Sequence, residues 1–207
     1  MKQILTWVLS YPKIYSLAMR LFVAKNRRVH LESFIAFKPN ENVLDVGCGP
    51  ANILRSLNVS INYTGIDLNP KYISSATSRF GSFAKFLNLN VDELANLKLE
   101  KFDKILILGT LHHLSDDQVN SLLETTSRLL SNNGELITHD PVRSIDQNRV
   151  SRTLMDFDRG KHIRFDNHHL SLFSNFFDIS FQIMDDVMRF PYEIIYVKAT
   201  KKRSLNT

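Results

Sequence analysis

The chain holds 207 residues, 43% of them hydrophobic, with a formal net charge of +5 at pH 7, which is enough apolar content for the core of one ordinary domain. Its one cysteine, Cys48, excludes an internal disulfide. No metal-ligand spacing is present, and no apolar run is long enough to span a membrane. The composition fits a reducing cytoplasm, and the N-terminus lacks a plausible signal cleavage site.

Residues 1–38 read as an N-terminal helical lid. Ile14, Leu17, Ala18, Leu21 and Phe22 recur at helical spacing after Pro12, and Ile4, Leu5, Trp7, Val8 and Leu9 form a shorter apolar patch before it. The positive charge is concentrated here, with seven basic residues before Asn40 against Glu32 alone. Packing on the domain is one reading of this segment. A basic amphipathic element lying on the anionic inner membrane surface is the other.

From residue 39 to about 200, apolar strands alternate with helical segments. Strands are expected near 42–46, 62–67, 84–88, 103–108 and 134–139, and helices near 51–58, 70–80, 91–96 and 116–131. Such alternation predicts an α/β fold, a doubly wound Rossmann-like sheet that is mostly parallel. Asn69-Pro70 opens the second helix, and Asp116 and Asp117 occupy the first turn of the fourth. Residues 141–166 are polar and read as an insertion, followed by a short helix near 167–175. Two β-rich runs near 177–184 and 192–199 precede a basic tail at 201–207.

The most informative stretch is Val43-Leu44-Asp45-Val46-Gly47-Cys48-Gly49-Pro50-Ala51-Asn52. A strand runs into Asp45, and a turn with two glycines leads towards a helix. Gly47 and Gly49 can take positive φ and let backbone approach a ligand closely. A crevice at the carboxyl end of a strand is where open α/β sheets bind nucleotides. A dinucleotide fold prefers a third glycine where this chain has Asn52, and a pyrophosphate disfavours a carboxylate as near as Asp45. A cationic or zwitterionic ligand suits Asp45 better. Asp67 follows the turn by about 20 residues, the spacing at which a carboxylate meets a ribose. That fits a nicotinamide dinucleotide and S-adenosylmethionine alike.

At these residues the chain resembles the class I S-adenosylmethionine-dependent methyltransferases, whose first motif has the same acidic-x-Gly-x-Gly form. Tyr63-Thr64-Gly65-Ile66-Asp67-Leu68, Gly109-Thr110-Leu111-His112-His113-Leu114 and the Leu129-to-Thr138 step resemble later motifs of the family in the same order. The resemblance covers roughly residues 40–142. It implies about seven strands with a final hairpin containing one antiparallel strand. The backbone at Gly47 and Gly49 would hold the methionine part of the cofactor, with Asp45 beneath it through water. Asp67 would take the ribose hydroxyls and Leu68 would lie against the adenine. Asn90, with Val91, is the best match for the residue facing the adenine amine, and Asp92 is the match if the register is shifted by two. Gly109 would line the sulfonium pocket. S-adenosylhomocysteine would be the product.

His112, His113 and His139 lie at carboxyl ends of strands and are the candidate bases, since a neutral imidazole near pH 7 suits that role. Each also has a plainer reading as a pocket-shaping or core residue. Arg143, Arg159, Arg164 and Arg189, with Tyr192, form a candidate acceptor wall able to grip a phosphate or carboxylate. The Asp-Arg-Gly-x-x-x-Arg arrangement at 158–164 resembles small bacterial methyltransferases linked to surface-sugar biosynthesis.

The expected function is therefore methyl transfer to a small-molecule, sugar or lipid-linked glycan acceptor, at oxygen. RNA methylation is the main alternative, suggested by a pI near 9.3. No RNA-binding module accompanies it, and Leu108-Gly109-Thr110-Leu111 replaces the Asn/Asp-Pro-Pro-aromatic motif of amino methyltransferases acting on adenine. A non-catalytic cofactor-binding protein is a further alternative, but intact Asp45, Gly47, Gly49 and Asp67 weigh against it. A nicotinamide oxidoreductase would need a tyrosine-x-x-x-lysine pair, which is missing.

Overall fold

The computed structural model describes residues 11–14, 16–17, 25–96, 99–158 and 160–202. The elements are α1 (Lys25–Ile35), β1 (Asn42–Val46), β2 (Asn62–Asp67), α2 (Pro70–Phe80), β3 (Ala84–Asn88), β4 (Phe102–Leu108), α3 (Asp116–Leu129), β5 (Leu130–Pro141), α4 (Arg149–Phe157), α5 (Asp166–Ser171), β6 (Phe177–Met184) and β7 (Ile194–Lys201). Short 3-10 turns follow β1, β3 and β4. The Ile4–Leu9 patch, much of the basic N-terminal segment and the end of the tail lie outside the described residues.

The strands form one sheet in the order β3-β2-β1-β4-β5-β7-β6. All pairs from β3 to β5 are parallel, and β7 runs antiparallel between β5 and β6. This is the mostly parallel, doubly wound sheet with a closing hairpin that the sequence implies. The chain direction of the winding reverses between β1 and β4, which places the switch-point crevice at their carboxyl ends.

Both faces of the central strands are covered, so they read as nearly continuous apolar runs. Alternate residues serve opposite cores. Leu44, Val46, Ile105 and Ile107 pack with Val119, Leu122 and Leu123 of α3. Val43 and Leu106 pack with Ile35 of α1 and Ala76 of α2. A third cluster joins Met155 of α4 to Val187, Tyr192, Ile194 and Tyr196 of the hairpin.

The local signals account for the helices. Asn69 caps α2 by accepting from the Lys71 N–H at 3.0 Å, with Pro70 in its first turn. Ser115 and Gln118 form a reciprocal capping box on α3.

Three expectations are corrected. The helix expected at 51–58 is only a 3-10 turn over Asn52–Ser56, because the chain leaves a left-handed Ala51 and must be extended again by Leu57 to enter β2. The fifth strand is longer than expected, starting at Leu130, with a register shift opposite Phe102 and Lys104. The polar insertion contains α4, capped by Asn148, whose side chain accepts from the Val150 N–H at 2.8 Å.

Lys104 is a buried charge that the sequence pattern does not announce. Its Nζ donates to the carbonyls of Ile35 (2.8 Å) and Ala36 (3.4 Å) and to Glu135 Oε2 (3.1 Å), with Glu41 at 3.6 Å. The ammonium thereby satisfies carbonyls at the end of α1 and fixes that helix to the floor of the sheet. Lys104→Ala is expected to lower stability by about 2–4 kcal/mol in urea unfolding, since it strands these acceptors. A change under about 0.5 kcal/mol would contradict this role.

Candidate active site

The turn after β1 is held in an unusual backbone shape. Gly47, Gly49 and Ala51 have φ of 76°, 56° and 51°. Glycine tolerates this region, while the alanine is strained by about 1 kcal/mol. The N–H groups of Gly47 and Cys48 both donate to the Ile66 carbonyl, at 2.8 and 3.0 Å. Gly49 N–H donates to Asp67 Oδ2 at 2.9 Å. The two glycines serve different purposes. A Cβ on Gly47 would lie 2.2 Å from Thr110 Oγ1, so this glycine lets the turns after β1 and β4 touch. A Cβ on Gly49 would meet nothing within 4 Å, so its Cα faces open space.

Two carboxylates flank this space. Asp45 is buried, and its Oδ2 accepts from the Tyr63 hydroxyl at 2.6 Å. Its Oδ1 is buried with no partner among the described residues. Burial pushes the Asp45 carboxyl up to about 7, with the Tyr63 bond opposing and the Asp67 charge adding to the rise. Asp67 is also raised, chiefly by burial, against the pull of the Asn69 and Gly49 N–H groups. A cationic group placed beside Asp45 would relieve the cost of its charge. The donor set therefore fits a ligand with an amino-acid head and a ribose.

Beyond β2, Leu68 is 68% exposed and free to cover an aromatic base. Asn90 points its side-chain oxygen at the Asp92 N–H, at 3.3 Å, and so starts the 3-10 turn Val91–Asn96. Asp92 faces Gln118 of α3 at 3.4 Å. Ser16 reaches Asn52, beside the glycine turn, at 3.1 Å, and Lys71 lies 3.9 Å from the centre of the Tyr11 ring.

The turn after β4 is the second half of the site. Gly109 has φ of 71°, and a Cβ there would lie 3.8 Å from His139 Cε1 and 4.0 Å from His112 Cε1. His112 and His139 thus converge on Gly109. His112 is buried, with Nδ1 2.7 Å from Asp140 Oδ1, and the same oxygen accepts the His112 backbone N–H at 3.1 Å. With Nδ1 engaged by Asp140, Nε2 is the ring nitrogen left for another partner. Nε2 lies 3.6 Å from Asp158 Oδ1, beyond hydrogen-bond reach. His113 is exposed, with its ring 4.1 Å from that of His112. His139 is buried edge-on against Tyr196, at 5.4 Å.

The insertion closes over this turn. His162 N–H donates to the His112 carbonyl at 2.9 Å, and a Cβ on Gly160 would lie 2.1 Å from His112 Cδ2. Asp158 accepts from Gly160 N–H at 2.6 Å and from the Tyr192 hydroxyl at 2.8 Å. Burial raises its carboxyl, but these donors and nearby His112 prevail and hold it below the usual range. His169 is buried beside this group, and burial lowers it to about 4, so it is neutral at pH 7.

Two residues expected at an acceptor wall are placed differently. Arg164 is buried, and its guanidinium donates to Asp116 Oδ1 (2.7 Å) and to the carbonyls of Leu111 (2.9 Å), His162 (3.2 Å) and Leu114 (2.6 Å). Those donors cannot also grip an acceptor, so Arg164 is a brace for the turn carrying His112. Tyr192 is buried with its hydroxyl committed to Asp158. Arg189 is exposed, and Arg143 pairs with Asp156 at 2.7 Å. Arg159 lies outside the described residues. The roles of Asp140 and Asp158 were missed, although Asp140 stands next to His139 at a strand end. No group of three or more metal-binding side chains occurs among the described residues.

Residues 44–136 match a family described as a methyltransferase domain. That span carries the glycine turn, Asp67 and the His112 turn, so the site just described lies within a methyltransferase domain. Among solved structures, a TehB-like S-adenosylmethionine-dependent methyltransferase from Corynebacterium glutamicum is 18% identical, covering 86% of this chain and 88% of its own, with a TM-score of 0.60. The N-methyltransferase NodS from Bradyrhizobium japonicum, in complex with S-adenosylhomocysteine, is 15% identical, covering 86% and 87%, with a TM-score of 0.66. The YcgJ protein from Bacillus subtilis is 13% identical, covering 87% and 100%, with a TM-score of 0.69. These likenesses concern the fold. No curated protein sequence matches the chain significantly.

The state of Asp45 gives a pH prediction. Its folded value of about 7 lies above that of a free carboxyl, so its favourable contribution to stability is full below the free value and lost as pH rises through about 7. A ligand ammonium beside it favours the charged form. S-adenosylhomocysteine is therefore expected to bind about tenfold more tightly at pH 8 than at pH 6 in calorimetric titration, with the difference lost in Asp45→Asn. An identical pH dependence in the variant would show that Asp45 does not face the ligand.

Proposed function

We propose that the enzyme methylates a hydroxyl of a small-molecule, sugar or lipid-linked acceptor, with His112 as the base. The carrying observation is the buried Asp140–His112 contact at 2.7 Å, which holds the ring by Nδ1 with its Cε1 turned towards Gly109. The backbone at Gly47 and Gly49 would hold the methionine part of the cofactor, Asp45 would face its ammonium, Asp67 would take the ribose hydroxyls, and Leu68 with Asn90 and Val91 would border the adenine. Bound there, the cofactor supplies an electrophilic methyl group on a sulfonium. The hydroxyl proton passes to His112 Nε2, and Asp140 orients the ring and offsets its new charge.

Tyr11 and Ser16 act as part of a lid over the cofactor, in keeping with the Ser16–Asn52 and Tyr11–Lys71 contacts. Residues 141–166 form the acceptor side, because they cover His112 and follow directly from β5. His113 and His139 shape the pocket: one is exposed and the other is packed on Tyr196. No helix among the described residues is long and apolar enough to cross a membrane. Contact with a membrane surface, if the acceptor is lipid-linked, would be peripheral.

Labelled methyl transfer from S-adenosylmethionine into a fractionated host extract tests this reading. Label is expected in the metabolite, polysaccharide or lipid fraction, as an alkali-stable ether. His112→Gln should lower kcat by about 100- to 1,000-fold and leave S-adenosylhomocysteine affinity unchanged. Label in RNA or on an amine would overturn the acceptor reading, and full activity in His112→Gln would overturn the base.

A further inference from the structure

A cavity of about 350 Å³ lies in the insertion, lined by Arg143, Ser144, Ile145, Gln147, Arg152 and Phe165. None of these residues belongs to the cofactor turns. We infer that this cavity binds an anionic amphiphile, one molecule at a time, with a phosphate or carboxylate on the two arginines and an apolar stem on Ile145 and Phe165. Its use as the anchoring subsite of the acceptor rests on the methyl-transfer reading above.

The charge of the lining commits the occupant. Two arginines line the cavity, and its lining includes no aspartate or glutamate. Arg152, exposed on α4, has no ion-pair partner among the described residues. Arg143 pairs only with Asp156, whose side chain is 62% exposed. Such a surface pair is weak, so an incoming anion can take over the guanidinium. Two planar forks on one small cavity suit the oxygens of a phosphate or carboxylate.

The apolar half is equally distinctive. Ile145 is 86% exposed and Phe165 is 51% exposed, both on the rim of the same cavity. A bare anion would leave both side chains in water, while an apolar stem would cover them. The volume falls in the range of small-ligand sites.

The floor is built and tied to the reaction site. Arg143 and Phe165 form an isolated parallel bridge, with Arg143 N–H donating to the Arg164 carbonyl at 2.9 Å and Asp166 N–H donating to the Arg143 carbonyl at 3.0 Å. Gln147 is buried, and its amide nitrogen donates to Ser151 Oγ at 3.0 Å. Arg143 stands three residues beyond Asp140, which orients His112. Phe165 adjoins Arg164, which braces the His112 turn. An occupant of this cavity therefore sits on the two chain segments that fix the base.

Calorimetric titration with octyl phosphate, kept below its micelle concentration, tests the assignment on the full chain. Saturable one-to-one binding is expected. It should weaken about tenfold in Arg152→Ala and about threefold or more in Ile145→Ser, two exposed substitutions that leave S-adenosylhomocysteine affinity intact. Inorganic phosphate and octanol should each bind at least about tenfold more weakly than octyl phosphate. No saturable binding, equal binding in both variants, or binding only to phosphatidylglycerol vesicles and not to the monomeric amphiphile would overturn the site. Octyl phosphate that binds but does not inhibit methyl transfer would overturn the acceptor role of the cavity and leave the methyl-transfer reading standing. Octyl phosphate binding with methyl transfer absent from every fraction would overturn that reading and leave the site standing.

Discussion

The tie between the glycine turn and the end of β2 is the constraint on which the site depends. The Ile66 carbonyl takes two N–H groups of the turn, and Asp67 takes a third from Gly49. These bonds hold three residues in left-handed backbone, one of them an alanine. The strain is local and small, and two hydrogen bonds to a central strand exceed it. The result is open space beside Gly49, with Asp67 against its N–H. The carboxylate expected to meet a ribose also shapes the turn that would carry the rest of the ligand.

The turn after β4 follows a second logic. It is short, and among its carbonyls only those of Thr110 and Leu111 accept from N–H groups of the turn itself. Arg164 and His162 of the insertion supply the donors, so the acceptor-side segment is fastened to the turn that carries His112. Asp140 meets the ring from the sheet side and Asp158 from the insertion side. Gly47 against Thr110 brings the two turns into contact, which links the cofactor half to the reacting half.

Much of the fold was legible because parallel strands buried on both faces leave unbroken apolar runs ending in Asp or Asn. The bounds of β1, β2 and β3 are those expected, and the Asn-Pro start of α2 marks its first residue. The fold class and the cofactor turn were legible for the same reason. Polar residues that act from the interior were not. Lys104 looks like an alternating strand position and is instead an anchor for α1. Arg164 looks like an anion clamp, because spacing shows the type of donor and not its burial. Helix α4 was hidden by its arginines, although Asn148 and the spacing of Ser151 and Met155 carry its cap and inner face. The Asp140–His112 pair joins residues 28 positions apart, a contact that only the β4–β5 pairing creates.

The central claim is that the glycine turn with Asp67 holds an S-adenosyl ligand. Calorimetric titration of S-adenosylhomocysteine into the parent protein and Asp67→Ala, with unfolding curves run alongside, tests it most directly. The account predicts a folded variant whose affinity falls about a hundredfold, the loss of two charge-assisted bonds with donors left unpaired. A folded variant of unchanged affinity would contradict it.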